Sequence, residues 1–61
     1  MKFKEGMIVD DGGGVKYRIA NVEPVEKQAI TLININDESD CQLIYCVELV
    51  KEFEENDWVL A

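Results

Sequence analysis

The chain has 61 residues, 48% of them apolar, with thirteen acidic and six basic side chains and a net charge of −7. That length holds one domain, residues 1–61, and the apolar fraction excludes a disordered acidic tail. There is no leader of basic, then apolar, then small residues, and the longest apolar stretch, Ala29 to Ile33, is interrupted by Thr31, so a cytoplasmic protein with no membrane segment is expected.

The elements follow in chain order. Met7-Ile8-Val9 is a short apolar run fit for a first strand, and Asp10-Asp11-Gly12-Gly13-Gly14 is a hairpin tip. Val15 to Val22 is the clearest strand, because Val15, Tyr17 and Ile19 alternate with Lys16 and Arg18. Period two marks a half-buried strand. The alternation slips near Asn21, and a bulge there would bring Val22 back to the inner face. Glu23 to Lys27 is a connection around Pro24, which cannot donate to a ladder. Gln28 to Ile35 is apolar on both faces, as a central strand requires. Asn36 to Asp40 is a polar turn, and Cys41 to Cys46 a fourth strand.

Val47 to Glu55 admits two readings. Val47, Val50 and Phe53 recur at three and Leu49 with Phe53 at four, which favours a short helix with Glu48, Lys51, Glu52 and Glu55 outside and Glu48 near enough to pair with Lys51. The rival continues the strand through Leu49. Trp58-Val59-Leu60 closes the chain as a last strand. The expected core is Met7, Val9, Val15, Tyr17, Ile19, Ile30, Leu32, Leu43, Tyr45, Val50, Phe53 and Trp58.

Catalytic chemistry finds little to work with. The chain has no histidine, which removes Ser-His and Cys-His nucleophiles and, with no Cys-x-x-Cys pair, a zinc site. Cys41 and Cys46 would stand roughly 16 Å apart in an extended strand, too far for a disulfide. The glycine run lacks the spacing of a phosphate-binding loop, and its two aspartates would repel phosphate. Asn34 to Asp40 places oxygens at alternate positions, as calcium loops do, but lacks the loop glycine and the late glutamate. No enzyme activity, cofactor or metal is expected.

The layout of four strands, a helical turn and a short last strand resembles an SH3-like small β-barrel. Phe3-Lys4-Glu5-Gly6-Met7-Ile8-Val9 is similar to the opening of KOW-type and Tudor-like barrels, Val15-Lys16-Tyr17-Arg18-Ile19 to their second strand, and Cys46-Val47-Glu48-Leu49-Val50 to the segment leading into their last turn. The resemblance implies a mostly β, five-stranded SH3-like barrel with one short helical turn before the last strand, of a kind found among small proteins of bacteria and their phages. KOW-type barrels that bind ribosomal RNA are basic, and this chain is acidic. Tudor-like readers gather an aromatic cage, whereas Phe3, Tyr17, Tyr45, Phe53 and Trp58 are dispersed.

Charge supplies the functional expectation. Residues 1–27 hold five acids and five bases, while residues 28–61 hold eight acids and the single base Lys51. Asp37, Glu38, Asp40, Glu48, Glu52, Glu54, Glu55 and Asp57 therefore carry the excess, and such a surface favours a basic protein and repels nucleic acid. A non-enzymatic interaction module is expected, in its most concrete form a phage-type modulator covering the basic surface of a host nucleic-acid-binding protein. The alternative is a nucleic-acid-binding accessory barrel using a basic patch of Lys2, Lys4, Lys16 and Arg18. The same charge excess also serves solubility alone.

Overall fold

The structure, a computed structural model, describes residues 2–24 and 28–61. Its elements are β1 (Ile8–Asp10), β2 (Lys16–Val22), β3 (Ala29–Asn34), β4 (Asp37–Tyr45), α1 (Cys46–Glu55) and β5 (Val59–Leu60). All five strands lie in one antiparallel sheet ordered β4-β3-β2-β1-β5. The chain is thus mostly β with one short helix. The sheet stays open, with β4 and β5 at its two ends and no ladder joining them.

Alternation decides which side of the sheet is buried. Tyr17 and Ile19 of β2 turn inward while Arg18 between them is exposed. Register carries this face across the sheet: Val9 lies opposite Tyr17, Ile19 opposite Leu32, and Ile30 opposite Ile44. The ladder shifts between Ile19 and Asn21, leaving Ala20 as the extra residue. The expected bulge is present, and it returns Val22 to a position opposite Ile30 and against the core. The predicted connection at 23–27 includes residues 25–27, which lie outside the described residues.

Helix α1 returns the chain from β4 towards β5, so of the two readings of residues 47–55 the helix is the one observed. Leu49 is fully buried and Val50 and Phe53 pack against the core, as spacings of three and four require. Phe3 closes the core from the N-terminal segment, with its ring centroid 5.5 Å from that of Phe53. The buried cluster is Phe3, Val9, Tyr17, Ile19, Ile30, Leu32 and Leu49.

Two expected core residues are outside. Leu43 is 70% exposed and Tyr45 51%, because they lie opposite Thr31 and Ala29, on the side of the sheet away from Ile30 and Leu32. Ile44, opposite Ile30, packs against the core instead. Gln42, two residues before it, is exposed, and its amide donates to the Tyr17 hydroxyl at 3.2 Å. The predicted turn at 36–40 is also shorter than expected. The chain reverses at Ile35 and Asn36, where the Asn36 N–H donates to Asn34 Oδ1 at 2.9 Å, and Asp37 already begins β4. The register jumps between Ile33↔Cys41 and Asn34↔Asp37, so the acidic segment is a bulged strand end.

Candidate protein-interaction surface

The first pair of acids is occupied in shaping the β1–β2 hairpin. Asp10 Oδ1 accepts from the Gly12 N–H at 2.8 Å, and Asp11 Oδ1 accepts from Gly13 at 2.7 Å and Val15 at 3.2 Å. Aspartate side chains that cap nearby backbone in this way build turns. Gly12 has φ +84°, and a Cβ there would stand 3.2 Å from the Asp57 carbonyl oxygen, so this position has two reasons to be glycine. The Gly12 N–H, and after it the Lys16 ammonium, hold the Asp10 carboxyl below its ordinary value of 3.8, against a partial loss of solvent. These contacts leave the loop's acids serving the hairpin.

The basic residues lie on two segments of the chain. Lys16 lies directly opposite Asp10 and pairs with it at 3.4 Å, the one ion pair among the described residues. Arg18 is exposed on the same side of the sheet, flanked across the strands by Ile8 and Ile33. Lys2 and Lys4 belong instead to the N-terminal segment before Gly6, which docks through its N–H on the Ile19 carbonyl at 2.8 Å. Half of the strand-borne basic charge is thus neutralised where it stands.

The acids of residues 37–57 divide by what holds them. At the bulged start of β4, Asp37 Oδ1 accepts from the Ser39 hydroxyl at 2.6 Å and its N–H at 3.1 Å, while Asp40 Oδ2 accepts from the Asn34 amide at 3.2 Å. Glu38 is exposed. These contacts use the oxygens that the sequence spaces like a calcium loop, and among the described residues no three metal-ligating side chains converge.

On α1, Glu48 reaches back to the Tyr45 N–H at 3.3 Å, the carboxylate half of a capping box. It serves the helix start rather than the expected pair with Lys51. Glu52 is half-buried and its Oε1 accepts from the Asn56 side-chain amide at 3.0 Å. Glu54, Glu55 and Asp57 are exposed. The last helical turn contains no basic residue, although the partial negative charge of a helix C-terminus favours a cation there. Asp57 adopts φ +60°, and the Trp58 N–H turns back to the Glu52 carbonyl at 3.3 Å. The carboxylates Glu52, Glu54, Glu55 and Asp57 therefore gather around a terminus whose own field opposes them.

Aromatic side chains are distributed as core pairs. Tyr17 stacks on Trp58 with centroids 6.0 Å apart and planes 5° from parallel, and Phe3 tilts against Phe53. Tyr45 stands apart from both, exposed at the end of β4. Leu43 on the same strand and Val47 in the first turn of α1 are exposed apolar residues too, the last 64% exposed. The sequence reading placed Leu43 and Tyr45 in the core, so their exposure was missed; the pattern of β4 alone does not signal it. Both cysteines are free thiols, Cys41 exposed and Cys46 half-buried. Among the described residues no helix is long and apolar enough to cross a membrane. Comparison with models of protein families, with curated proteins and with solved structures finds no match for this chain.

Proposed function

We propose that this chain is a non-enzymatic interaction module of the cytoplasm that offers an acidic surface to a basic protein. The observation that carries this reading is the C-terminal end of α1. Glu52, Glu54, Glu55 and Asp57 crowd a helix end that lacks a base, and no described base forms an ion pair with them. Each such carboxylate costs local stability, of the order of 0.3–1 kcal/mol at low ionic strength. A local rule broken without local compensation points to a role outside the fold. Attraction by such a surface is long-ranged at low salt and shrinks to a Debye length of about 8 Å at physiological ionic strength.

The strand order, with β5 returning to β1 after a helical crossing, supports an SH3-like arrangement left open between β4 and β5. In its most concrete form the module is a phage-type modulator covering the basic surface of a host nucleic-acid-binding protein. The rival, an accessory barrel that binds nucleic acid through Lys2, Lys4, Lys16 and Arg18, is weakened by the Lys16–Asp10 pair.

Charge reversal separates these readings. Glu54→Lys with Glu55→Lys uses two exposed positions and spares Glu48 and Glu52, which hold backbone and Asn56. Titration with a short oligolysine and with a single-stranded oligonucleotide, at low and physiological salt, should show oligolysine binding that weakens with salt and with the double reversal, while thermal stability is equal or higher. Oligonucleotide binding abolished by Arg18→Glu would establish the rival. Oligolysine binding indifferent to the reversal would reduce the charge excess to a solubility feature.

A further inference from the structure

We propose that the open edge of β4, at Cys41 to Tyr45, takes up an extended segment of the basic partner as a sixth strand; this rests on the proposed function, and names the element through which such a partner docks. In an antiparallel pair, residues alternate between those that exchange backbone hydrogen bonds with the neighbour and those whose N–H and C=O point away. The Cys46 N–H donates to the Gln28 carbonyl at 2.8 Å, and the ladder continues as Ile44 opposite Ile30 and Gln42 opposite Leu32. That fixes the phase. Gln42 and Ile44 turn their backbone groups towards β3, and Cys41, Leu43 and Tyr45 turn theirs to the open side.

Tyr45 has already spent its donor on Glu48 Oε1. The N–H and C=O of Cys41 and of Leu43 are left facing outward, two donors and two acceptors at strand spacing. Proteins ordinarily blunt such an edge with lysine, proline, a bulge or brevity. Residues 41–45 contain neither lysine nor proline, and the register jump lies before Cys41. The other end of the sheet is blunted, since β5 has only two residues. Strand addition needs free backbone groups for affinity and alternate side-chain contacts for choice of partner. Leu43 and Tyr45, exposed on the side of the sheet away from the core, supply the second requirement.

Charge selects the occupant. Asp37, Glu38 and Asp40 precede this edge and Glu48 follows it. A second copy would bring its own net charge of −7 against these acids. A segment in which lysine or arginine alternates with apolar residues brings the opposite charge and an apolar face for Leu43 and Tyr45. Like charges placed together at an interface exclude the wrong partner, and opposite charges set register.

The test uses the isotope-labelled full chain and a blocked peptide of alternating lysine and valine, followed by amide shifts and hydrogen exchange. A control peptide has proline in place of alternate valines and so keeps its charge while losing strand pairing. A chemically synthesised full chain with N-methylleucine at position 43 loses one outward donor and no group that faces β3. The alternating peptide should shift and protect the Cys41 and Leu43 amides, and the proline peptide should bind more weakly. The N-methylated chain, its circular dichroism unchanged, should bind the alternating peptide about tenfold more weakly or worse, since it loses a hydrogen bond and gains a methyl in the ladder. Equal binding of both peptides, or undiminished binding to the N-methylated chain, overturns the edge and leaves the acidic surface standing. No binding of either peptide overturns both. Concentration-dependent protection of the same two amides without peptide, with a dimer in sedimentation equilibrium, would assign the edge to a second copy and overturn the basic occupant.

Discussion

Leu43 of β4 and Leu49 of α1 stand six residues apart in the chain, and replacing each by alanine tests the packing of the whole domain. Leu49 is fully buried and is the one fully buried residue of α1. Truncating such a leucine removes its transfer free energy and leaves a cavity, at a cost of about 2–5 kcal/mol. Leu43 is 70% exposed, and a surface change of that kind stays within about 0.5 kcal/mol. A native domain of this size is stabilised by only ~3–9 kcal/mol, from ~0.05–0.15 kcal/mol per residue. Leu49→Ala therefore removes a large part of the total, and at the upper end unfolds the chain. Urea unfolding followed by Trp58 fluorescence and far-UV circular dichroism reads both variants. Leu49→Ala should lower the midpoint at an unchanged slope, and a thermal scan should fall by roughly 8 °C or more, at about 4–8 °C per kcal/mol. Leu49→Met, which conserves volume, should cost less than about 1.5 kcal/mol. If Leu43→Ala costs as much as Leu49→Ala, the outer face of β4 is covered in solution and its exposure here is refuted.

Three further outcomes are expected. Asp57→Gly relieves a non-glycine residue at φ +60° and should stabilise the domain by roughly 0.5–1 kcal/mol in urea unfolding; a loss would mean that the Asp57 side chain holds the helix end. Because the Gly12 N–H and Lys16 depress the Asp10 pKa in the fold, its stabilising contribution is present above the ordinary 3.8 and lost as pH falls through the lowered value. Asp10→Asn should therefore be destabilising near neutrality and converge on the parent in strong acid, and a stability difference independent of pH would contradict this. Tyr17→Phe leaves the Gln42 amide without its acceptor at 3.2 Å and should cost about 1 kcal/mol, with Gln42→Ala adding little on top of it in a double-mutant cycle.

Most of the fold was legible where side chains alternate under one dominant rule. In β2, lysine and arginine between tyrosine and isoleucine leave one possible face, and the slip at Asn21 locates the bulge because a one-residue insertion is the smallest change that turns Val22 back inward. β4 offered no such rule. Cys41, Leu43 and Tyr45 on one parity and Ile44 and Cys46 on the other are similarly apolar, so pattern alone favours the wrong set. Tertiary context decides it, through the register that sets Ile44 opposite the buried Ile30 and leaves Gln42 exposed with its amide on the Tyr17 hydroxyl. Phe3 and Leu49 were missed from the core for a related reason. Phe3 lies outside any strand and Leu49 within a segment that also reads as β, so burial of either depends on how α1 crosses the sheet. The acids at 37–40 read as a turn because aspartate and serine favour turns, and here they cap one another within a bulged strand.

The same residues link the missed edge to the proposed surface. Had the inner face of β4 been Cys41, Leu43 and Tyr45, its outer face would carry Gln42 and Ile44 and leave little apolar surface for a partner. The observed register instead places Leu43 and Tyr45 outside, next to backbone groups that β3 does not use, and between acids that no described base neutralises. Hydrophobic contact, free strand valence and charge thus coincide on one end of the sheet. Each has a separate cost to the isolated domain: exposed apolar area, an unpaired edge and like charges left without a cation. A domain of only 61 residues has little stability to spare for any of them. Their coincidence at β4, with the opposite edge shortened to two residues, is what a docking end and a blunted end of one sheet would look like.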